Sequence, residues 1–257
     1  MTLSDLELER YSRQLVLPEW SGEAQERLRS ASAVVIGLGA LGSPVATYLV
    51  AAGVGTVGVV DDGLVELSNL HRQPLHFTPD LDLPKVTTAA VKLRVLNPEV
   101  EVQEYQVRLD EANAEAIVAG AGVVVDCTDA FTTRYLVNDA CCAQGVPLVT
   151  GAVLGFAGQL MSVLPGRSAC YRCAFATPPP PGSVPSCREA GVLGATAGAV
   201  GSLQALEALK LLAGVGRPLT DRILQLDALT MEQTLVATER RQDCISCARV
   251  PAAPQSV

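Results

Sequence analysis

Two sets of residues in this chain have the types and spacing to do chemistry. The first begins at VVIGLGALG, where Gly37, Gly39 and Gly42 follow a short apolar run. Gly37 suits a tight turn, Gly39 lets backbone approach a phosphate, and Gly42 lets a helix pack close to the strand before it. Ala40 lies inside the same loop. The helix start that follows offers free N–H groups to an anion. Asp61 ends the next apolar run, where a carboxylate can hydrogen-bond a ribose hydroxyl. Just beyond, SNLHRQ supplies Ser68, Asn69 and Arg72, and Lys85 opens a helical pattern. So many polyphosphate donors suit phosphoryl or nucleotidyl transfer better than hydride transfer, because charge on phosphate oxygens must be stabilised. Solvated surface charge is the plainer reading of Arg72 or Lys85 taken alone. DCTDA adds Asp126 and Asp129 at a strand end. Asp129 suits Mg²⁺, which favours oxygen ligands, or it caps the helix after it.

The second set is Cys170-x-x-Cys173 and Cys244-x-x-Cys247. Each pair can present two thiolates to one tetrahedral ion, and four thiolates close the sphere around a structural Zn²⁺. Redox-active pairs and unrelated free thiols are the competing readings. Cys187 stands apart, beside Arg188 and after a proline run. A cationic neighbour can lower a thiol pKa and make a nucleophile; an incidental loop cysteine is the alternative. Cys127, Cys141 and Cys142 fall in apolar strand or helix patterns and read as core.

These groups must be held by alternating strands and helices. One or two helices are expected over 5–30, then a strand at 32–37, a helix at about 41–52 and a strand at TVGVVDD. LSNLHRQPLHF reads as a loop or short helix. Lys85 to Leu96 has helical periodicity, stopped by Asn97-Pro98. EVEVQEYQV alternates as a strand does, 110–120 is helical, and GVVVDCTDA is a buried strand. A helix to about Ala143 and the strand PLVTGAV follow. The alternation predicts an α/β fold, a Rossmann-like, doubly wound, mostly parallel sheet. The second half departs from it, with a strand at GQLMSVL and a Pro-rich excursion at CYRCAFATPPPPGSVPSC that regular structure cannot accommodate. A buried helix ending at Gly214 and a closing strand or hairpin at RILQLDALTMEQTLV complete an added C-terminal strand region.

The 257 residues can bury a full core without disulfides. A formal charge of −8 argues against generic nucleic-acid binding. Ala31 to Val60 carries no charge, but glycines and Pro44 break it into strand, helix and strand rather than a membrane span. With no leader pattern at the N-terminus, a cytoplasmic protein is expected, and eight cysteines there are metal ligands, reactive thiols or core rather than disulfides.

The ordered set RYSRQ, GLGALGSP, AGVGTVGVVDDGLVELSNLHRQ, PKVTTA, VVVDCTDAFTTRYLVND, CYRC, CREAGVLG and DCISC resembles the ThiF/MoeB/HesA proteins, bacterial relatives of the ubiquitin-activating enzymes. The resemblance covers nearly the whole chain. It implies adenylation, with MgATP, of the C-terminal Gly-Gly carboxylate of a small ubiquitin-like sulfur-carrier protein. A sulfur donor, of cysteine desulfurase or rhodanese type, later makes the thiocarboxylate. It implies that Asp61 holds the ribose, that Asn69, Arg72 and Lys85 contact the phosphates, and that Asp129 serves magnesium. Arg13 then reaches the ATP of a second subunit, making a homodimer with composite sites, and the four cysteines hold zinc. The implied layout is one adenylation domain over 1–257: helices at 1–30, a nucleotide-binding half at 31–155, and a zinc, crossover-loop and carrier-binding half at 156–250. A fused rhodanese domain is not expected after Val257. Departures from the common pattern are Ala40 for a frequent glycine, Gly63 in DDG, His71 for a glutamine and Ala130 in TDA. A peptide-carboxylate adenylating enzyme, an NAD-dependent oxidoreductase and a catalytically dead nucleotide scaffold are the alternatives.

Overall fold

Short valine-rich runs alternate with helices, and in the computed structural model the runs become neighbouring strands of one sheet. Residues 3–180, 182–185, 187–248 and 250 are described, Cys187 and Arg188 by their backbone alone. Three short helices come first: α1 (Asp5–Arg10), α2 (Ser12–Leu15) and α3 (Gly22–Ser30). The nucleotide-type half follows as β1 (Ser32–Ile36), α4 (Gly42–Ala52), β2 (Thr56–Val60), α5 (Lys85–Leu96), β3 (Glu101–Tyr105), α6 (Ala114–Val118), β4 (Val123–Asp126), α7 (Phe131–Gln144) and β5 (Leu148–Leu154). After it come β6 (Ala157–Val163), α8 (Tyr171–Ala174), α9 (Cys187–Ala190), α10 (Gly194–Ala213), β7 (Arg222–Asp227) and β8 (Glu232–Ala237).

The strands form one eight-stranded sheet in the order β3-β2-β1-β4-β5-β6-β7-β8. From β3 to β5 all pairings are parallel, and from β5 to β8 all are antiparallel. The order reverses between β1 and β4, where Ile36 lies opposite Asp126. Ligands in such sheets bind beyond the carboxyl ends of the strands at this switch point.

Both faces of the parallel part are covered. Along β1, Ala33 and Val35 point into a core shared with α4, α5 and α10, while Val34 and Ile36 point into a second core under α6 and α7. Helix ends follow local chemistry. α5 starts after Pro84 and stops at Asn97, which precedes Pro98. α4, α7 and α10 end on left-handed Gly53, Gly145 and Gly214. Within the Pro-rich excursion, single helical turns do form as α8 and α9, because neither contains a proline. Among the described residues no helix is long and apolar enough to cross a membrane.

Candidate nucleotide cleft and cysteine centre

The loop after β1 is fixed by two glycines. Gly37 has φ +90° and donates its N–H to the Val60 carbonyl at 2.8 Å, tying the loop to β2. A Cβ on Gly42 would sit 1.8 Å from the Gly37 carbonyl oxygen, so only glycine lets α4 start there. Gly39 and Ala40 then face a cleft of about 1170 Å³. Asp61, at the end of β2, braces the loop from the side. Its Oδ2 accepts the Leu38 N–H at 2.7 Å and its Oδ1 the Gly63 N–H at 2.7 Å.

The same cleft brings together Gly37, Gly39, Ala40, Asp61, Arg72, Lys85 and Asp129. Lys85 is the first residue of α5, half-buried. A Cβ at Gly63 would lie 3.0 Å from Asp61 Oδ1 and 3.5 Å from Lys85 Nζ, so Asp61 and Lys85 flank Gly63. Arg72 is steadied by the Ser68 carbonyl, which accepts from its Nη1 at 2.7 Å, and by the His71 ring at 2.9 Å. Asp129 is exposed in the cleft and makes no hydrogen bond or ion pair with any described residue. Such an uncommitted carboxylate fits a hard cation or a cation's water shell. The residue at the N-cap of α7 is Ala130, without a side-chain cap.

Other expected residues lie outside the lining. Gly42 serves packing. Asn69 is buried, its Nδ2 3.4 Å from Ser68 Oγ, and neither residue lines the cleft. Arg13 is exposed on α2, away from the cleft of its own chain. The side chain of Cys187 lies outside the described residues.

Three residues not singled out from sequence also face the cleft. Gln73 is buried, with Oε1 lacking a partner. Its place directly after Arg72 was the only sequence signal. Arg108 follows β3 and is exposed. Arg134, on the first turn of α7, is buried; its Nη2 donates to the Thr128 carbonyl at 2.6 Å and its Nε lies 3.7 Å from Asp126 Oδ2. Asp126 is wholly buried and accepts Thr128 N–H at 3.0 Å, Thr128 Oγ1 at 2.7 Å and Thr150 Oγ1 at 2.8 Å. It shapes the loop that presents Asp129 and does not itself reach the cleft. His76 is buried between the Leu38 carbonyl, 3.1 Å from Nε2, and Thr88 Oγ1, 3.0 Å from Nδ1. Burial holds its imidazole below the ordinary range, aided by Lys85 and Lys92 and opposed by the Leu38 carbonyl.

On the opposite face of the sheet from α4, the two CxxC pairs meet. The sulfurs of Cys170, Cys173, Cys244 and Cys247 all lie within 4.8 Å of one another. Individual separations are 3.8 Å for Cys170–Cys173, 3.5 Å for Cys170–Cys244 and 3.4 Å for Cys173–Cys247. Metal–sulfur bonds of about 2.3 Å in a tetrahedron put sulfurs about 3.8 Å apart, so the set fits one tetrahedral ion. Burial opposes charge on Cys244, yet the Cys247 and Ser246 N–H groups and the neighbouring thiols pull it down to about 7. The Arg241 N–H points at Cys173 Sγ at 3.3 Å. Cys127, Cys141 and Cys142 are buried core, as the apolar pattern indicated.

Comparison with known proteins gives a consistent picture. The ThiF family profile matches residues 11–246. A sulfur carrier protein adenylyltransferase of Thermus thermophilus is 51% identical over 250 residues, covering 95% of this chain and 92% of that protein. A SAMP-activating enzyme E1 of Haloferax volcanii is 46% identical over 247 residues, covering 96% and 91%. The adenylyltransferase and sulfurtransferase MOCS3 of Bos taurus is 48% identical, but this chain spans only 55% of its length. Among solved structures, E. coli MccB with ATP has the same fold, with a TM-score of 0.83, 20% identity, and coverage of 93% of this chain and 74% of that one. On the profile match and the near-complete alignment with relatives about half identical, the chain belongs to the ThiF family.

Proposed function

We propose that this chain is an adenylyltransferase that uses ATP to activate the C-terminal Gly-Gly carboxylate of a ubiquitin-like sulfur-carrier protein. One observation carries the reading: the glycine loop, Asp61, Arg72, Lys85 and Asp129 converge on one cleft at the switch point of the sheet. The names borne by the Thermus and Haloferax relatives support the same substrate class. In this reading the loop at Gly39 and Ala40 cradles phosphate, Asp61 accepts a ribose hydroxyl, and Arg72 and Lys85 draw charge from the phosphates. The carrier carboxylate is already ionised at neutral pH, so it attacks the α-phosphorus without a general base, and pyrophosphate leaves. Catalysis then comes from positioning and from cations aimed at developing charge. Asp129 would hold Mg²⁺, which neutralises phosphate oxygens when bound. The Ser68 carbonyl accepts from the Arg72 guanidinium and the Asn69 carbonyl from the Arg72 N–H, and both hold Arg72 in place.

The remaining parts of the proposal follow from the same layout. The four cysteines hold Zn²⁺, which pins the tail at 244–247 to the start of the Pro-rich excursion. The chain acts as one adenylation domain, with nucleotide binding at 31–155 and carrier binding at 156–250. It works as a homodimer in which Arg13 completes the partner's cleft, in the cytoplasm, with sulfur supplied by a separate protein. Cys187 is proposed for the later sulfur step, after adenylation.

ATP–pyrophosphate exchange tests the core of this reading. Exchange is expected only with a carrier protein ending in a free Gly-Gly carboxylate. Exchange without any carrier, exchange with a carrier whose C-terminus is amidated, or NAD binding in place of ATP overturns it.

A further inference from the structure

Helix α7 enters the structure at the cleft and ends beside the cysteine centre. Two successive residues on it, Asn138 and Asp139, turn toward the sulfurs. Asn138 is fully buried. Its Oδ1 accepts the backbone N–H of Tyr171 at 2.8 Å, inside the first CxxC, and its Nδ2 points at Cys170 Sγ at 3.8 Å and at Asp139 Oδ1 at 3.1 Å. The Asp139 carboxylate grips the first pair through Arg172, with Nε at 2.8 and 3.0 Å and Nη2 at 2.7 Å. It also accepts from the hydroxyl of Ser246, inside the second CxxC. One carboxylate thus spans both knuckles, although Cys170 and Cys244 are 74 positions apart. The Arg172 guanidinium in turn lies 4.6 Å from the centre of the Tyr135 ring, one turn earlier on α7.

A single exposed ion pair contributes little. This arrangement differs in three ways. The Arg172 fork is bidentate, the neighbouring amide is buried, and the two residues act on both segments that carry the four sulfurs. Outer partners of metal ligands fix their orientation, and their loss typically costs 10–100-fold in metal affinity, roughly. We infer that Asn138 and Asp139 are the outer shell of the metal centre. They are positioning residues that join both CxxC knuckles to α7 and slow the release of the metal.

The inference rests on the cysteine centre holding zinc, so the test begins by measuring zinc content. Zinc-loaded protein is mixed with a chromogenic chelator and the release rate is followed. Asp139→Asn, which keeps shape and removes the charge, is expected to release zinc about tenfold faster or more, and Asn138→Ala several-fold faster. Asp243→Asn, on the exposed Arg241–Asp243 pair of the second knuckle, is expected to release at the wild-type rate. Zinc-free wild-type protein defeats the metal reading and this inference with it. Zinc present, but released at the wild-type rate from both α7 variants, defeats the outer shell alone; so does equal acceleration by Asp243→Asn. If Asp139→Asn does not fold, Arg172→Met and Ser246→Ala remove the same bonds from the knuckle side and decide the question.

Discussion

The two ends of the sheet solve the problem of stability differently. Strands β1, β2 and β4 are buried on both faces and read as valine-rich apolar runs. β8, at the other edge, is exposed along its whole length. Burial at about 25 cal/mol per Å² holds the first end together. β8 lacks that resource, and the metal proposed at the four cysteines, with the residues of α7 that grip them, would add a cross-link between distant segments of the second half. The difference teaches where metal and where packing should matter. Helix α7 belongs to both ends, since its first turn carries Arg134 to the cleft and its later turns carry Asn138 and Asp139 to the cysteines.

The largest effect should come from breaking the cross-link. A thiolate centre of this kind contributes about 10–16 kcal/mol of apparent binding energy in small zinc peptides. In a chain with its own core only part is lost. Cys173→Ser with Cys247→Ser should remove at least about 4 kcal/mol, a Tm fall of about 8–16 °C for this size. Hydrogen exchange should rise in β6–β8 and the later turns of α7, while the β1, β2 and β4 amides stay protected. Uniform loss of protection would break the contrast between the two ends.

Next is the ion pair that anchors α7 at the cleft. Arg134→Met leaves the buried Asp126 carboxylate without its cation, a loss of about 3–5 kcal/mol in chemical denaturation. The exposed Arg241–Asp243 pair offers the counterpart in the cysteine half. Asp243→Ala should leave the denaturation midpoint unchanged. Equal effects would show that burial is not what distinguishes them.

Legibility from sequence followed the same divide. The parallel half was readable because its signals are local: apolar runs, a glycine loop, Lys85 after Pro84. The four cysteines were readable because CxxC spacing is itself the chemistry. Arg134, Gln73 and Arg108 were not, since only the crossing of β1 and β4 brings an α7 residue, a loop residue and a strand-end residue to one cleft. Asn69 differs again: its type and its place in SNLHRQ point to phosphate contact, while the turn at 67–69 leaves it buried, outside the cleft lining, with its carbonyl accepting the Arg72 N–H. Asp139 closes the motif VVVDCTDAFTTRYLVND, but nothing in that stretch shows its link to the cysteines, because its partners lie on two other segments.

In the cleft itself, Lys85→Ala and Arg72→Ala should each lower ATP–pyrophosphate exchange by about 10²–10³, the scale of losing one preorganised charge donor, or about 2.7–4 kcal/mol. Thermal stability should change little, because the Lys85 side chain makes no hydrogen bond or ion pair with any described residue and the half-buried Arg72 bonds within its own loop, to the Ser68 carbonyl and the His71 ring. A fall in Tm that matches the fall in activity would move these residues from chemistry to packing.

The smallest effect is a pH dependence at His76, which joins the glycine loop to α5 from beneath. Burial holds its folded-state pKa below the ordinary imidazole value of about 6.5. Below that pH the unfolded chain takes up a proton that the folded chain refuses, so stability rises with pH across this window and is lost as pH falls. His76→Gln keeps a donor for the Leu38 carbonyl and an acceptor for Thr88 but has no proton to refuse. At pH 7.5 the variant should be the less stable of the two, and the gap should narrow as pH falls toward 5. Loss of the proposed metal on acidification would affect both proteins through the same thiolates and cancel in the difference. Parallel stability curves would mean that His76 takes up its proton in the fold as readily as in the unfolded chain despite Lys85 and Lys92, and would overturn this reading.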